Sequence, residues 1–435
     1  MKRKNINWIK KLIIISGWLL VWQLVSMLVG NEILLVGPVE ALGSLLGMLT
    51  EGTFWQACIG SVLRISLGFF LGLVIGIFLA IFCYRYQIAE EILSPVMTLL
   101  KAVPVASFVV LFLIWWSSAY LATVISFCIT LPNLYINTLE GMKSTDKKLL
   151  EMAKVFKMAK MDSFFYIYRP ALKPFWDSAI ALAAGMSWKS GVAAEVIGLP
   201  VNAIGEQLYM SKIYLNTAGV LAWTVVVILL SVGFERLLKG VGDVFFAWEP
   251  SCKGIVKRMG SQEVMELQHV SKSYYGQKVL EDISARYCHG QMYTFHSPSG
   301  SGKTTLFRLI AGLERPDSGE IHTAGQGIGY LFQEDRLCEE YSALKNVELV
   351  TGNVQEAEKA LGNLLLKEDM DKPCKELSGG MKRRVALVRA VVAGRDILLL
   401  DEPYNGLDEV NRERVAQYIS ENTKESIVLM ATHVK

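Results

Sequence analysis

A chain of 435 residues, 52% of them hydrophobic and with a positive mean hydropathy, is long enough for two or three domains and too apolar for an ordinary soluble enzyme. Its formal net charge of +3 gives no electrostatic case for a nucleic-acid partner. Seven cysteines (Cys58, Cys83, Cys128, Cys252, Cys288, Cys338 and Cys374) are scattered without a CxxC pair or a His-rich cluster, so neither a zinc site nor a disulfide framework is suggested, and they read as small apolar or surface residues in a reducing compartment.

The chain has two unlike halves. Apolar runs centre on 12–29, 59–83, 95–116, 119–139, 176–199 and 218–238, near membrane-spanning length, the fourth interrupted by Pro132 and the fifth by Lys189 and Glu195. They predict an all-α membrane domain of six transmembrane helices in the lipid bilayer. The first run follows MKRKNINWIKK, with five basic and no acidic residues, and lacks a small-x-small cleavage site, so it reads as a retained span. The 30–56 connection carries Glu32, Glu40 and Glu51 and no Lys or Arg, whereas the 141–174 connection carries eight basic residues against three acidic ones. Basic loops stay on the cytoplasmic side, so the N-terminus, the 141–174 loop and everything after Lys239 are expected there, in the plasma membrane topology of a multi-pass protein. Lys189 and Glu195 each cost roughly 2.5–3.5 kcal/mol on insertion scales and should face a cavity or a partner. They lie about 120° apart around a helix, which does not favour a simple pair between them. The expected domains are 1–248, a basic linker 249–262 beginning at EPSCKG, and 263–435.

The second half alternates short β-branched strands with helix-like segments, an α/β pattern. The strand-like MYTF leads into SPSGSGKTT and then the helical LFRLIAGL, which is the context of a P-loop NTPase. There Gly300 and Gly302 let backbone N–H groups approach phosphate oxygens, the helix start adds its positive end, Lys303 reaches the terminal phosphates and Thr304 holds Mg2+. Further on come LSGGM at 377–381, the buried-strand pattern ILLLDEP ending in Asp401 and Glu402, YLFQEDR with Gln333, NGLD with Asp408, and His433 after the apolar IVLMAT.

Over 262–435 these motifs resemble the ATP-binding-cassette ATPases, of which LSGG is the signature. The resemblance implies a head-to-tail dimer enclosing two ATP molecules. Each ATP would be held by Ser299, Gly300, Ser301, Gly302, Lys303, Thr304 and Thr305 of one copy and by Ser378, Gly379 and Gly380 of the other, with Asp408 nearby. Tyr274 in SKSYYGQ matches the adenine-stacking aromatic, with Tyr275 as the neighbouring alternative. Asp401 would serve Mg2+ through water, Gln333 would reach the same metal and sense the γ-phosphate, Glu402 would be the general base and His433 would contact the γ-phosphate. Two departures stand out. Ser297 replaces the first glycine of the loop, at a cost on the order of 1 kcal/mol if that position has positive φ. The sequence also stops two residues after His433, where the family continues with another strand and helix.

The basic connection LLEMAKVFKMAKMDSFFYIYRP places Leu149, Ala153 and Phe156 on one helical face. It resembles the EAA loop of binding-protein-dependent import permeases, with Glu151, Ala153, Ile167 and Pro170 matching and Met152, Lys157 and Arg169 departing. In that family the loop's helix docks on the ATPase. SVLRISLGFFLG, SPVMTLLKAVPVASFVVLFLIW and WKSGVAAEVIGLP resemble permeases of the nitrate, sulfonate and taurine importers over about 35–245, and Met381 and FQEDRL are similar to their ATPases. The resemblance implies an ATP-driven importer half that fuses permease and ATPase, acting as a homodimer or with a separate permease or ATPase subunit, and fed by an extracytoplasmic solute-binding protein with a sulfonate, taurine, nitrate or vitamin precursor. Lys189 or Glu195 would then line the solute path, snorkel, or pack against another span. An exporter half, and a membrane scaffold that binds nucleotide with little hydrolysis, are the competing readings. The short 84–91 connection disfavours the first, and the retention of Lys303, Asp401, Glu402 and His433 disfavours the second.

Overall fold

The structure, a computed structural model, describes residues 2–252, 254, 264–296, 300–323, 327–394 and 396–432. Helices α1 (Lys2–Val29), α2 (Pro38–Met48), α3 (Gly52–Arg85), α4 (Gln87–Ala102), α5 (Val105–Trp115), α6 (Leu121–Lys143), α7 (Lys147–Val155), α8 (Lys160–Ser163), α9 (Arg169–Gly198), α10 (Ile204–Ile213) and α11 (Thr217–Ala247) precede the first strand. Two compact units result. One comprises Met1–Ser144 and Leu172–Ala247, the other Thr145–Ala171 and Trp248–Lys435.

In the helical unit, Gly52–Arg85, Ser118–Lys143 and Thr217–Ala247 are long and apolar enough to cross a membrane, and the pair α4 and α5 brings the number to four if counted as one span. The expected run 95–116 is therefore not one straight helix. It bends by 102° at Val103 and Pro104, where proline has no N–H to continue the helix and pushes the residue before it into extended backbone. α9 is 30 residues long but carries Lys173, Asp177, Lys189 and Glu195 and is less apolar than these three helices. α1 contributes a shorter apolar segment, Ile13–Val29. α6 runs through Pro132 without a break, with the Asn133 side chain donating to the Ile129 carbonyl (2.7 Å) beside the bond that proline removes.

The outward surface of α3, including Leu63, Leu67, Val74 and Phe78, is exposed apolar side chain, the surface expected of hydrocarbon contact. Its inward face carries Gly68, Gly72 and Gly76, four apart. A Cβ at Gly68 would lie 2.0 Å from the Thr123 carbonyl oxygen, so α3 and α6 touch backbone to backbone. Several polar groups inside the bundle are paired across helices, as in Thr130 with Ser187 (3.0 Å) and the Trp176 indole donating to Thr138 (2.9 Å). Glu195, fully buried, accepts from the Ser61 hydroxyl (2.6 Å) and the Gly205 N–H (3.3 Å) and lies 3.5 Å from the Arg64 guanidinium. It thus ties α9 to α3 and α10.

The second unit holds β1 (Val264–Tyr274), β2 (Gln277–Cys288), β3 (Met292–His296), α12 (Lys303–Ile310), β4 (Ser318–His322), β5 (Ile328–Leu331), α13 (Ala343–Thr351), α14 (Val354–Leu361), α15 (Lys367–Met370), α16 (Gly379–Ala393), β6 (Ile397–Asp401), α17 (Glu409–Asn422) and β7 (Ile427–Thr432). An antiparallel sheet has the order β2-β1-β4, and a parallel sheet the order β3-β7-β6-β5. Every residue of β6 and β7 is buried, as expected of strands covered on both faces. The 145–171 segment belongs to this unit. It contains α7, capped by the Asp146 side chain on the Lys148 N–H (2.8 Å), and a one-turn π segment at Phe164–Tyr168. The first linker residues pack here too, since Cys252 is buried and the Pro250 carbonyl accepts from the Tyr166 hydroxyl (2.5 Å).

Candidate functional site

The parallel sheet brings several candidates to one edge. His296 pairs with Thr432 in register and Asp401 with Ala431, so the carboxyl ends of β3, β7 and β6 stand level, the place where open α/β sheets bind ligands. From β3 the chain turns through Gly300 (φ 84°) and Gly302 (φ 87°) into α12. Gly302 has no room for a side chain, because a Cβ there would lie 2.9 Å from Leu280 and 3.0 Å from the Val279 carbonyl oxygen. Both glycines have the left-handed backbone that aims successive N–H groups at an anion.

The Thr304 hydroxyl donates to the Asp401 carboxylate (2.9 Å). Asp401 is 2% exposed, and this burial raises its pKa, opposed by the Thr304 hydrogen bond and the Lys303 charge. A hydroxyl and a buried carboxylate side by side form a hard oxygen donor set that fits Mg2+, whose charge would hold the carboxylate ionised. Glu402 has φ 52°, a left-handed conformation that costs roughly 1–2 kcal/mol outside glycine. It is held there by its N–H on the Ala431 carbonyl (2.9 Å) and by its own carbonyl, which accepts from Arg383 (2.8 Å).

Other candidates lie around this edge. Tyr274 is half-buried, its hydroxyl donating to Glu314 and interacting with Thr305. Tyr275 is fully exposed at the two-residue β1–β2 turn, where Tyr275 and Gly276 both have positive φ. Ser378 caps α16 by accepting from the Met381 N–H (3.3 Å), and a Cβ on Gly380 would meet the Gly406 carbonyl oxygen at 3.4 Å. The signature therefore starts beside the segment that leads to Asp408, itself the cap of α17 through the Asn411 N–H (2.8 Å), a bond that holds its carboxyl below the usual range. Gln333 and Ser301 are exposed. Ser297, Ser299 and His433 lie outside the described residues.

Two buried arginines on α16 were not among the candidates. Arg383, 4% exposed, donates to the carbonyls of Phe332 (2.7 Å), Gln333 (3.3 Å), Asp401 and Glu402 and to the Asp335 carboxylate (3.1 Å). Arg389, 1% exposed, donates to the carbonyls of Asp335 (2.9 Å) and Arg336 (3.0 Å) and lies over the Phe156 ring, and burial pulls its pKa down to about 10. Together they clamp the 332–336 segment to α16 and, through Arg383, to the Asp401–Glu402 turn. The one sequence sign of this is arginine set into the apolar run RRVALVRAVV.

The clamped segment carries α7. Glu151 accepts two bonds from Arg308 (2.8 and 3.1 Å) and one from Arg336 (2.7 Å), while Lys148 pairs with Glu334 (2.6 Å). Arg308 sits on α12 and also donates to Glu314 (2.5 Å), so the phosphate-loop helix and the 332–336 segment meet at one carboxylate. Arg308 is the chief reason that the Glu151 pKa is lowered. A lowered carboxylate stabilises the fold above its ordinary value of 4.5 and loses that contribution as pH falls through the lower folded value. At pH 7 the contact is expected intact. Glu151→Gln, which leaves two arginines facing each other, is expected to weaken the docking of 145–171 by about 1 kcal/mol, as suits a partly exposed group. Hydrogen exchange over 147–155 checks this. Protection equal to wild type at pH 7 would mean the ion pairs do not hold the helix.

A parallel sheet with a glycine-rich turn into α12, and the Thr304 hydroxyl on the buried Asp401 carboxylate at its edge, defines a P-loop nucleotide-binding domain, here joined to a helical membrane unit. The family model described as "ABC transporter" matches residues 280–405, and that described as "Binding-protein-dependent transport system inner membrane component" matches residues 72–242. The aliphatic sulfonates import ATP-binding protein SsuB 1 of Rhodococcus jostii is 39% identical over 180 residues, which are 39% of this chain and 72% of that protein. The Fe(3+) ions import ATP-binding protein FbpC of Yersinia pestis is 33% identical over 189 residues, 38% of this chain and 54% of that one. A solved ATP binding subunit of an ABC transporter aligns with 39% of this chain and 80% of its own at 25% identity and a TM-score of 0.36. The chain belongs to the ABC transporter family, with an import-type permease domain and an ABC ATPase domain in one polypeptide.

Proposed function

We propose that the protein couples ATP hydrolysis to import of a small polar solute of the sulfonate, taurine, nitrate or vitamin-precursor class, as a homodimer or with a separate permease or ATPase subunit, and fed by an extracytoplasmic binding protein. The observation that carries this reading is the docking of α7, through Glu151, on Arg308 of the phosphate-loop helix and Arg336 of the 332–336 segment. A helix held by both can follow a change at the phosphates. The membrane unit then supplies six spans, counting α1, the bent α4–α5 pair and α9 beside the three long apolar helices, with the N-terminus and the ATPase in the cytoplasm.

In the site, backbone N–H groups from Gly300 to Thr305 and the Lys303 ammonium bind and orient the phosphates of ATP, with Ser299 completing the loop. Thr304 and Asp401, with Gln333, would hold Mg2+, which when bound would supply neutralisation of phosphate charge. Glu402 orients the attacking water and takes its proton, and His433 contacts the γ-phosphate. Tyr274 stacks on adenine. Ser378, Gly379 and Gly380, with Asp408, close on the γ-phosphate of the second copy, so that ATP stabilises the closed dimer and its hydrolysis reopens it.

Uptake into proteoliposomes holding the purified chain, with its binding protein outside and ATP trapped inside, tests this reading. ATP-dependent accumulation of a sulfonate, taurine or nitrate is the expected result. ATP-dependent extrusion would make the chain an exporter half, and hydrolysis-free nucleotide binding would make it a scaffold.

A further inference from the structure

Within the second unit, the residue that opens α9 is bonded to the residue that follows α11. Arg169, buried, donates to the carbonyl of Trp248 (2.5 Å). It also donates to the Tyr341 hydroxyl (3.1 Å), which in turn donates to the Phe165 carbonyl (3.1 Å). The one-turn π segment, a wide turn often found at functional positions, sets Phe165 and Tyr166 beside this arginine. The Phe165 ring lies 5.3 Å from the guanidinium and meets the Trp248 ring edge-on, also at 5.3 Å. Tyr166, buried, donates to the Pro250 carbonyl (2.5 Å) and meets Tyr341 edge-on at 5.0 Å. Further along, Cys252 is buried. Gly254 (φ 65°) runs so close to Gly352, the C-cap of α13, that a Cβ on it would lie 2.6 Å from the Gly352 Cα.

A plain tether stays solvated and only raises the local concentration of the domain it carries. This stretch is built into the unit instead. Two of its carbonyls are the acceptors of a buried guanidinium and a buried phenol, and pulling it away would leave both donors unsatisfied inside the protein. Arg169 is also a position at which the 141–174 loop departs from the import-permease pattern, and its acceptor lies in the stretch that fuses the two halves of the chain. We infer that residues 248–254 form a second coupling point, a strap that ties Arg169, where α9 begins, and Trp248, where α11 has just ended, to Tyr341 and the end of α13. A permease gripped only through α7 receives a nucleotide-driven shift at one loop. Here the same shift also enters α11 along its own backbone, with Tyr166 and Arg169 as the positioning residues. The inference rests on the reading of ATP-driven transport and holds for either direction of movement.

The test uses the full chain in proteoliposomes and reads solute moved per ATP hydrolysed. A flexible Gly/Ser segment inserted between Ala247 and Trp248 separates α11 from the strap, whereas the same segment between Met259 and Gly260 leaves the two joined. The first insertion is expected to lower the ratio about tenfold with hydrolysis retained, and the second to leave it at the wild-type value. Tyr166→Phe, which removes one bond to the linker, should lower it about threefold. Equal ratios after the two insertions would make the linker a plain tether and overturn the strap. Docking is read apart from transport by maleimide labelling, because Cys252 is buried and Cys288 exposed in the same unit. In wild type Cys252 should label at least about tenfold more slowly than Cys288, and faster in Tyr166→Phe. Labelling of Cys252 at the Cys288 rate overturns the strap whatever the transport result. Outward solute movement sinks the import reading alone, and no ATP-driven movement in wild type sinks both.

Discussion

Glu402→Gln is expected to lower ATP turnover by about 100-fold or more, the scale at which a positioned general base contributes, while nucleotide binding persists. The amide keeps the shape of the side chain and the left-handed backbone at φ 52°, and removes only the capacity to take a proton. Neither the Thr304–Asp401 pair nor the glycine turn depends on the Glu402 carboxylate. The measurement is phosphate release from Mg-ATP by the chain in nanodiscs, with binding of a fluorescent ATP analogue as the control. Glu402→Gly separates chemistry from strain. It relieves the left-handed cost, and it should abolish turnover as fully as the amide does. Wild-type turnover in either variant would place the base elsewhere.

Arg383→Met is expected to destabilise the ATPase unit by on the order of 3 kcal/mol and to lower kcat with little change in KM for ATP. The guanidinium satisfies four backbone carbonyls and the Asp335 carboxylate from a nearly solvent-free position. Methionine fills much of the volume and leaves those acceptors without their donor. Because the lost bonds lie between the 332–336 segment and the Asp401–Glu402 turn, the hydrolytic geometry suffers while the glycine turn and Lys303 do not. Arg383→Lys, with one point charge in place of a planar fork, should recover part of the stability and less of kcat. Thermal unfolding and steady-state kinetics decide it. A variant as stable as wild type with unchanged kcat would make Arg383 a bystander.

The nucleotide edge was largely readable in the sequence because its chemistry sits on contiguous residues. Phosphate needs glycines and a lysine at one spacing before a helix, and SPSGSGKTT carries them, while ILLLDEP announces a buried strand ending in carboxylates. The helical character of the first half was readable for a similar reason, since hydrocarbon demands long apolar runs. The bend at Pro104 was harder. Apolar composition continues across it, and only the backbone direction changes.

What the sequence by itself determined is therefore what local spacing and apolar length can encode: a helical membrane half, a P-loop half, and where the glycine-rich turn and the Asp401 strand end fall along the chain. Tertiary structure alone decided the partners. Glu151 meets Arg308 and Arg336 across 157 and 185 residues, Glu195 meets Ser61 across 134, and Arg383 bridges two turns of the ATPase through backbone carbonyls. Carbonyls are the same at every position, so no pattern of side chains marks the ones an arginine will reach. A charge set in an apolar run shows that a partner must exist, because burial without one costs too much, but its identity depends on how the helices and strands pack.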